Sequence, residues 1–457
     1  MAEFKNLMIS VSGVRGLVGD GLTPEVVMRF ALAYASEYGP GKIVVGRDSR
    51  VTGNMVKYAV WSGLMAAGCD VIDIDIAPTP TTELLTEKQE HAGGIIITAS
   101  HNPKEWNALK LLAPDGLFLD SVQADRLLAR VKNSDFHFAT WDRMGRILPY
   151  SNAIAEHVDA ILKLAILDIP AIRRRQFTVV ADCCNGAGGV ILPLLLEKLG
   201  CRVIFLNQEP TGLFPRSPEP IPENLGDLCE AVRLYQADLG IAVDPDVDRL
   251  AIVSDRGLPL GEEYTLVMAA QVILRKTPGP VVINASTTRA IEDLADLYQV
   301  PVFRTPVGEI HVASRARQVG AVIAGEGNGG VIYPELHLGR DAPVGIALLL
   351  QACVNHGGTL SHLHRELPQY TMIKDKVPLS FDTNAKELVK NLEKRHSDEK
   401  LDRTDGLKVV YDNGWVHIRA SNTEPLIRII AEMPVRQAAE QLVQKFKSEI
   451  QEMGAPK

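Results

Sequence analysis

The apolar run Ile95-Ile96-Ile97 stops abruptly at the polar turn Thr98-Ala99-Ser100-His101-Asn102-Pro103. An unbroken β-branched run predicts a strand buried on both faces, and the residue at its carboxyl end emerges where open α/β sheets form ligand crevices. Pro103 prevents the strand from simply continuing. A second run, Ile241-Ala242-Val243, ends the same way and delivers Asp244, Asp246 and Asp248 at alternate positions before Arg249.

One strand-turn-helix opening recurs at Lys42 to Arg50, Phe177 to Gly189 and Pro280 to Arg289. In each copy a helix then precedes a second strand and a Pro-containing turn: Pro78-Thr79-Pro80, Pro210-Thr211-Gly212 and Thr305-Pro306-Val307-Gly308. A third strand closes each copy and runs into a loop, at Thr98 to Pro103, Asp244 to Arg249 and Gly325 to Gly330. Three matches in register predict tandem related α/β domains, over residues 1–150, 151–257 and 258–368, that pool their carboxyl-end loops in one central cleft. Beyond Pro368 the pattern changes. Strand signals at Tyr370 to Val377, Leu407 to Tyr411, Trp415 to Arg419 and Leu426 to Glu432, with helices at Ala385 to Lys394 and Val435 to Met453, predict a small α+β cap over 369–457.

A chain of 457 residues is too long for one core, since single cores rarely exceed roughly 250 to 300 residues. Its 46% hydrophobic and 23% charged content excludes disordered and fibrous classes. The net charge of −8 offers no footprint for nucleic acid, so an anionic ligand must be gripped by a local cluster of Arg and Lys. The six cysteines follow no metal-site spacing and fit reduced thiols better than a disulfide framework. Met1 to Asn6 lacks a signal-peptide core, and the longest apolar stretch, Val344 to Val354, is too short to span a bilayer. The expectation is a cytoplasmic protein without a membrane partner.

Taken alone, Ser-His-Asn-Pro fits equally well a turn in which Ser and Asn cap backbone donors. The aspartate triplet shifts the balance. Its alternate acids also suggest an EF-hand, but Arg249 stands where that loop needs glycine, and the flanks read as strands. Three clustered carboxylates repel one another unless a cation neutralises them, so Mg²⁺ accounts for them better than a solvated acidic turn. A hydroxyl nucleophile at Ser100 beside a metal cage suggests phosphoryl transfer. In the cap, the turn Ala420-Ser421-Asn422-Thr423-Glu424-Pro425 between Arg419 and Arg428 has the hydroxyls, backbone donors and guanidinium groups that phosphate binding needs. An ordinary β-turn with two surface arginines is the alternative there.

These residues resemble the α-D-phosphohexomutases, a family of phosphoglucomutases, phosphomannomutases and phosphoglucosamine mutases. The likeness covers essentially the whole chain, with four signatures in the family's order: Thr98 to Pro103 with Lys110 beyond it, Asp244 to Arg249, Gly325 to Gly330, and Arg419 to Pro425. It implies three related α/β domains and a TATA-binding-protein-like fourth. It implies a phosphoserine at Ser100, which joins Asp244, Asp246 and Asp248 around Mg²⁺, and sugar hydroxyls gripped by Glu326 and Asn328. Arg419, Ser421, Asn422, Thr423 and Arg428 would bind the phosphate that is not being transferred. Arg15, His101, Lys110 and Arg249 would surround the transferring group, with Gly308 and Glu309 in the substrate-facing loop.

The reaction so implied interconverts hexose 6-phosphate and hexose 1-phosphate through a bound 1,6-bisphosphate, which also serves as activator. The substrate is then a small sugar phosphate, and the protein a monomer or homodimer. Lys110 is the expected general acid/base, with a pKa lowered by its surroundings; a surface lysine on a strand is the alternative. Some members carry His where this chain has Glu309 and Gly330. Glu309 could pair with a C2 ammonium, which points to glucosamine phosphate; otherwise it positions backbone or pairs with a nearby arginine, leaving a broad phosphoglucomutase/phosphomannomutase. No nucleotide loop and no Gly-x-Ser-x-Gly elbow is present, which argues against kinase and hydrolase readings. His101 is expected to diverge from Ser100 on an extended segment. A non-catalytic sugar-phosphate sensor would keep the same binding residues, but Ser100 with all three aspartates argues for catalysis.

Overall fold

The computed structural model describes residues 6–10, 13–87, 91–380, 384–421 and 426–454, and these form four sheets. In the first, Lys42–Arg47 lies parallel between Asp70–Ile76 and His91–Ile97, and Trp106–Leu112 adds antiparallel to the latter. The second repeats that order, with Thr178–Asp182 between Arg202–Leu206 and Leu239–Val243, and Leu250–Ser254 antiparallel. The third does so again with Val281–Asn284, Val302–Thr305, Ile323–Glu326 and the antiparallel Gly330–Ile332. The threefold sequence pattern therefore continues into a fourth strand in each copy. Each of the three expected loops is the connection between antiparallel neighbours, which fixes both of its ends.

The first sheet is extended by Gly13–Val18, which sets Gly13 opposite Lys110 and Arg15 opposite Ala108 on the Trp106–Leu112 strand. Glycine is required at this junction. Gly13 has φ +129°, and a Cβ there would lie 1.9 Å from the Leu109 carbonyl oxygen. The fourth sheet is wholly antiparallel, in the order Thr371–Pro378, Leu426–Met433, Gly414–Ala420, Leu407–Tyr411, Lys400–Asp402. Helices Ala385–Arg395 and Arg436–Gly454 cover one face, burying Ile427, Ile429, Val416 and Ile418 against Leu392, Val443 and Phe446.

The first and fourth sheets each have their own core, whereas the second and third share one continuous cluster running from Val158 to Leu367. Helices Glu263–Lys276 and Ala342–His356 lie in that shared core and are apolar nearly all round, as full burial demands. A buried polar junction pins the three α/β units together. His157 Nδ1 lies 2.8 Å from Thr81 Oγ1, its Nε2 lies 2.8 Å from Asp341 Oδ2, and His337 Nε2 lies 3.1 Å from that same oxygen. The Gly339 N–H donates to His337 Nδ1 at 3.1 Å, so the remaining ring proton sits on Nε2 and points at Asp341. A proton there blocks metal ligation, so the trio is a structural joint.

Candidate active site

Ser100 adopts φ +50°, a left-handed conformation that costs an L-residue roughly 1 to 2 kcal/mol. Its surroundings enforce it. The Thr98 hydroxyl accepts the Ser100 N–H at 2.9 Å and donates to Asp48 at 2.7 Å. The Arg50 guanidinium donates to the carbonyl oxygens of Ser100 (2.6 Å), Asn102 (2.7 Å), Pro103 (2.6 Å) and Trp106 (2.9 Å), and its Nε to Asp48 at 2.9 Å. Because Ser100 is left-handed rather than extended, His101 does not diverge from it: Nδ1 lies 3.3 Å from Ser100 Oγ. Arg249, together with burial, holds His101 well below its ordinary pKa. Arg15 donates to the Asn102 side chain, which brings the amino-terminal hairpin onto the loop.

The Ser100 hydroxyl donates to Asp244 Oδ2 at 3.0 Å, joining the first unit's loop to the second's. Asp244 Oδ1 accepts the N–H groups of Asp248 and Arg249, each at 3.2 Å. Asp246 is clamped by the first unit: its Oδ2 accepts from Thr79 Oγ1 at 2.7 Å, and its carbonyl accepts the Thr79 N–H at 2.8 Å. All three carboxylates are buried, their ligand atoms lie within 4.8 Å of one another, and Asp246 Oδ1 and Asp248 Oδ1 have no hydrogen-bond partner. Buried orphan carboxylate oxygens are costly, and this oxygen-only donor set suits a hard divalent cation such as Mg²⁺. Burial, then the charges of Asp248 and Asp246, push Asp244 well above the usual carboxylate range. Burial also opposes charge on Asp248, but Arg340 and Lys110 outweigh it and lower its pKa.

Lys110 Nζ donates to Asp246 at 2.7 Å and to Asp248 at 3.2 Å. Burial lowers the Lys110 pKa as expected, but the charges of Asp246 and Asp248 oppose it and raise it above the ordinary lysine value.

The third loop is organised by Arg340, which the sequence reading missed. Its guanidinium bonds Glu326 and Asp248 at 2.7 Å each and lies 3.1 Å from Glu309. Glu309 also accepts the Arg340 N–H at 2.7 Å. Of the two readings of Glu309, the contacts match the one in which it pairs with a nearby arginine and holds backbone. Glu326 Oε1 accepts the Gly308 N–H at 3.0 Å and the Asn284 side chain at 2.8 Å, while Asn328 Nδ2 lies 3.4 Å from Glu326 Oε2. Behind them, a Cβ at Gly327 would come within 2.0–2.3 Å of the buried Glu263 carboxylate, so the loop rests directly on that group.

Across the cleft stands the fourth sheet. A cavity of about 530 Å³ runs between Arg249 and Asn328 on one side and Arg428, Lys376 and Lys374 on the other, with Glu219 and Glu262 in its wall. Arg419 is bonded at 3.0 Å to Asp405, whose same oxygen accepts the Val307 N–H at 3.0 Å. The Ser421 N–H bonds the Leu426 carbonyl at 2.9 Å, and Asn422 and Thr423 lie outside the described residues. The structure therefore gathers Ser100, His101, Arg15, Lys110, the three aspartates and Arg249 into one cluster. Glu326 joins it through Arg340. The missed members, Asp48, Arg50, Thr79 and Arg340, come from segments whose role depends on strand pairing and on contacts between units. Their sequence signals were positional: Asp48 and Arg50 end the first repeated opening, and Thr79 sits in its Pro-containing turn.

Comparison with known proteins agrees with this architecture. The chain matches "Phosphoglucomutase/phosphomannomutase, alpha/beta/alpha" domains I, II and III over residues 7–138, 155–257 and 261–370, and the family's C-terminal domain over 379–449. It is 38% identical over 439 residues to the "Probable phosphoglucosamine mutase" of Methanopyrus kandleri, covering 95% of this chain and 96% of the relative. It is likewise 38% identical over 441 residues to the phosphoglucomutase/phosphomannomutase of Thermococcus kodakarensis, covering 94% and 96%. The crystal structure of a phosphoglucomutase/phosphomannomutase family protein from Burkholderia thailandensis superposes with a TM-score of 0.84 at 26% identity, over 97% of this chain and 98% of that one. Four domains matched in order, with close relatives along nearly the full length, mean that the chain belongs to the phosphoglucomutase/phosphomannomutase family and is a phosphohexomutase.

Proposed function

We propose that the protein interconverts hexose 6-phosphate and hexose 1-phosphate through a phosphoseryl group on Ser100 and a bound hexose 1,6-bisphosphate, which also primes the enzyme. The observation that carries this reading is the 3.0 Å contact between Ser100 Oγ and Asp244, which sets a hydroxyl from one domain against the acidic cage of another. In the forward step the bond from phosphorus to Ser100 Oγ breaks and a bond to the sugar hydroxyl oxygen forms. Lys110 gives a proton to the departing Ser100 Oγ and takes up the sugar hydroxyl proton in its place. After the sugar turns over, the other phosphoryl group returns to Ser100. Asp244, Asp246 and Asp248, with a phosphoryl oxygen on Ser100, would hold Mg²⁺, which when bound neutralises charge on the transferring group. Arg15, His101 and Arg249 bound the space around that group. Glu326, Asn328 and the Gly308 turn would orient the sugar, and Arg419, Ser421, Asn422, Thr423 and Arg428 its second phosphate.

For the sugar, glucosamine phosphate is the first reading. The Methanopyrus relative's name supports it. The engagement of Glu309 by Arg340 favours the second reading, broad phosphoglucomutase/phosphomannomutase activity. The test is turnover of glucosamine, glucose and mannose 6-phosphates with Mg²⁺ and trace 1,6-bisphosphate, followed by peptide mass spectrometry. The expected label is one phosphoryl group on Ser100. A label elsewhere, or full turnover by Ser100→Ala, overturns the mechanism; equal or better kcat/KM for the neutral sugars overturns the glucosamine assignment.

A further inference from the structure

Arg428 stands directly opposite Lys376 on one neighbouring strand and directly opposite Arg419 on the other. Opposed residues of an antiparallel pair share a face, with Cβ atoms about 4.5 to 5.5 Å apart. Three cations thus form a rank across three adjacent strands. Like charges in such a rank repel, and Asp405 already pairs with Arg419 at its edge.

Alternation along Thr371–Pro378 assigns the face. Val377 and Ile373 pack in the helix-side core, and Asp375 bonds Lys447 of the covering helix at 2.8 Å. Lys374 and Lys376 therefore point the other way, and both line the 530 Å³ cavity opposite Arg249 and Asn328. Their charges are not equivalent. Lys374 bonds Glu262 at 2.7 Å and lies 3.8 Å from Glu263, whereas the Lys376 ammonium has no carboxylate partner among the described residues.

We infer that Lys376 is a further phosphate ligand, completing with Arg428 and Arg419 the site for the sugar phosphate that is not being transferred. This rests on the function proposed above. Guanidinium groups hold phosphate oxygens in a fixed fork, whereas an ammonium on a flexible stem acts as a point charge with three donors. Such a third contact can adjust as the two differently oriented ends of the sugar present their phosphates in turn.

The test uses Ser100→Ala, which cannot take up phosphate, so that binding is read without turnover. Calorimetric titration with hexose 1,6-bisphosphate should show Kd about tenfold higher when Lys376→Met is added, equivalent to about 1.4 kcal/mol, with Lys376→Arg restoring most of the affinity. With Ser100 intact, Lys376→Met should raise KM for hexose 6-phosphate by about the same factor, the loss falling on KM rather than on kcat. Relief of repulsion should leave the ligand-free Tm of Lys376→Met at or above that of the parent; should the methionine variant fail to fold, Lys376→Gln serves in its place. Unchanged Kd and KM in a protein that turns over and binds bisphosphate overturn the role of Lys376. Failure of the parent to bind bisphosphate or become phosphorylated instead overturns the mechanism on which the inference rests.

Discussion

The Arg50 guanidinium supports the Ser100 loop from beneath by bonding three of its carbonyl oxygens, that of Trp106 at the start of the next strand, and Asp48. Arg50→Met would strand those oxygens and a buried carboxylate, and removing one partner of a buried ion pair costs about 3 to 5 kcal/mol. Urea denaturation should show a loss of that size. A difference under about 1 kcal/mol would mean the loop supports itself. Asp246→Asn should act differently, because it removes one charge from a repelling trio while leaving the fold standing. We expect at least a tenfold rise, by order of magnitude, in the Mg²⁺ concentration needed for both half-maximal activity and half-maximal thermal stabilisation. Unchanged Mg²⁺ dependence would remove this loop as the metal site. Ser100 and the aspartates were legible in the sequence because each ends an apolar strand in chemistry that strand does not need. Arg50 and Arg340 were not, since each matters only through a loop brought to it by strand pairing or by contact between units.

Among the elements, the strands and helices of the fourth domain lie within a residue or two of their expected positions, from Leu407–Tyr411 to Arg436–Gly454, whereas Lys400–Asp402 escaped notice because three residues carry no period. The conformation of the Ser100 turn was also beyond the sequence: the strand pattern implied extended backbone, and only the Arg50 and Thr98 contacts make it left-handed. The seat of the sugar loop gives a pH prediction. Burial pushes the Glu263 carboxyl up to about 8 from 4.5; Lys374 opposes this, Glu262 and Glu432 add to it, and the Thr288 N–H bond opposes it. The folded protein thus keeps a proton that the unfolded chain releases. Stability from this group is fully present below about pH 4.5 and falls as pH rises toward about 8, by up to about 1.4 kcal/mol per unit. Glu263→Gln keeps the neutral form throughout. Between pH 5.5 and 8 the wild type should lose roughly 2 to 3 kcal/mol more than this variant in urea unfolding; parallel pH profiles would show that Glu263 is charged in the fold.

For the molecule as a whole, the repeat pattern made the tandem α/β order legible, but not how the units are joined. Asp341 joins them through His157 and His337, and it caps helix Ala342–His356 by accepting the Val344 N–H at 2.9 Å. Asp341→Ala should therefore destabilise the protein by about 3 kcal/mol or more in urea unfolding. Near-wild-type stability would mean that apolar packing alone holds the units together. The continuous apolar cluster from Val158 to Leu367 bears on where the chain can be divided. A cut after residue 368 would leave a body on each side whose own core is intact. A cut after residue 257 would tear one core in half, exposing Leu266 to Leu274 on one fragment and Leu192 to Leu199 on the other. Although repeated sequence makes the second and third units look like interchangeable modules, neither is expected to survive expression alone. Any recombination between relatives that keeps the protein soluble should exchange the two as one piece.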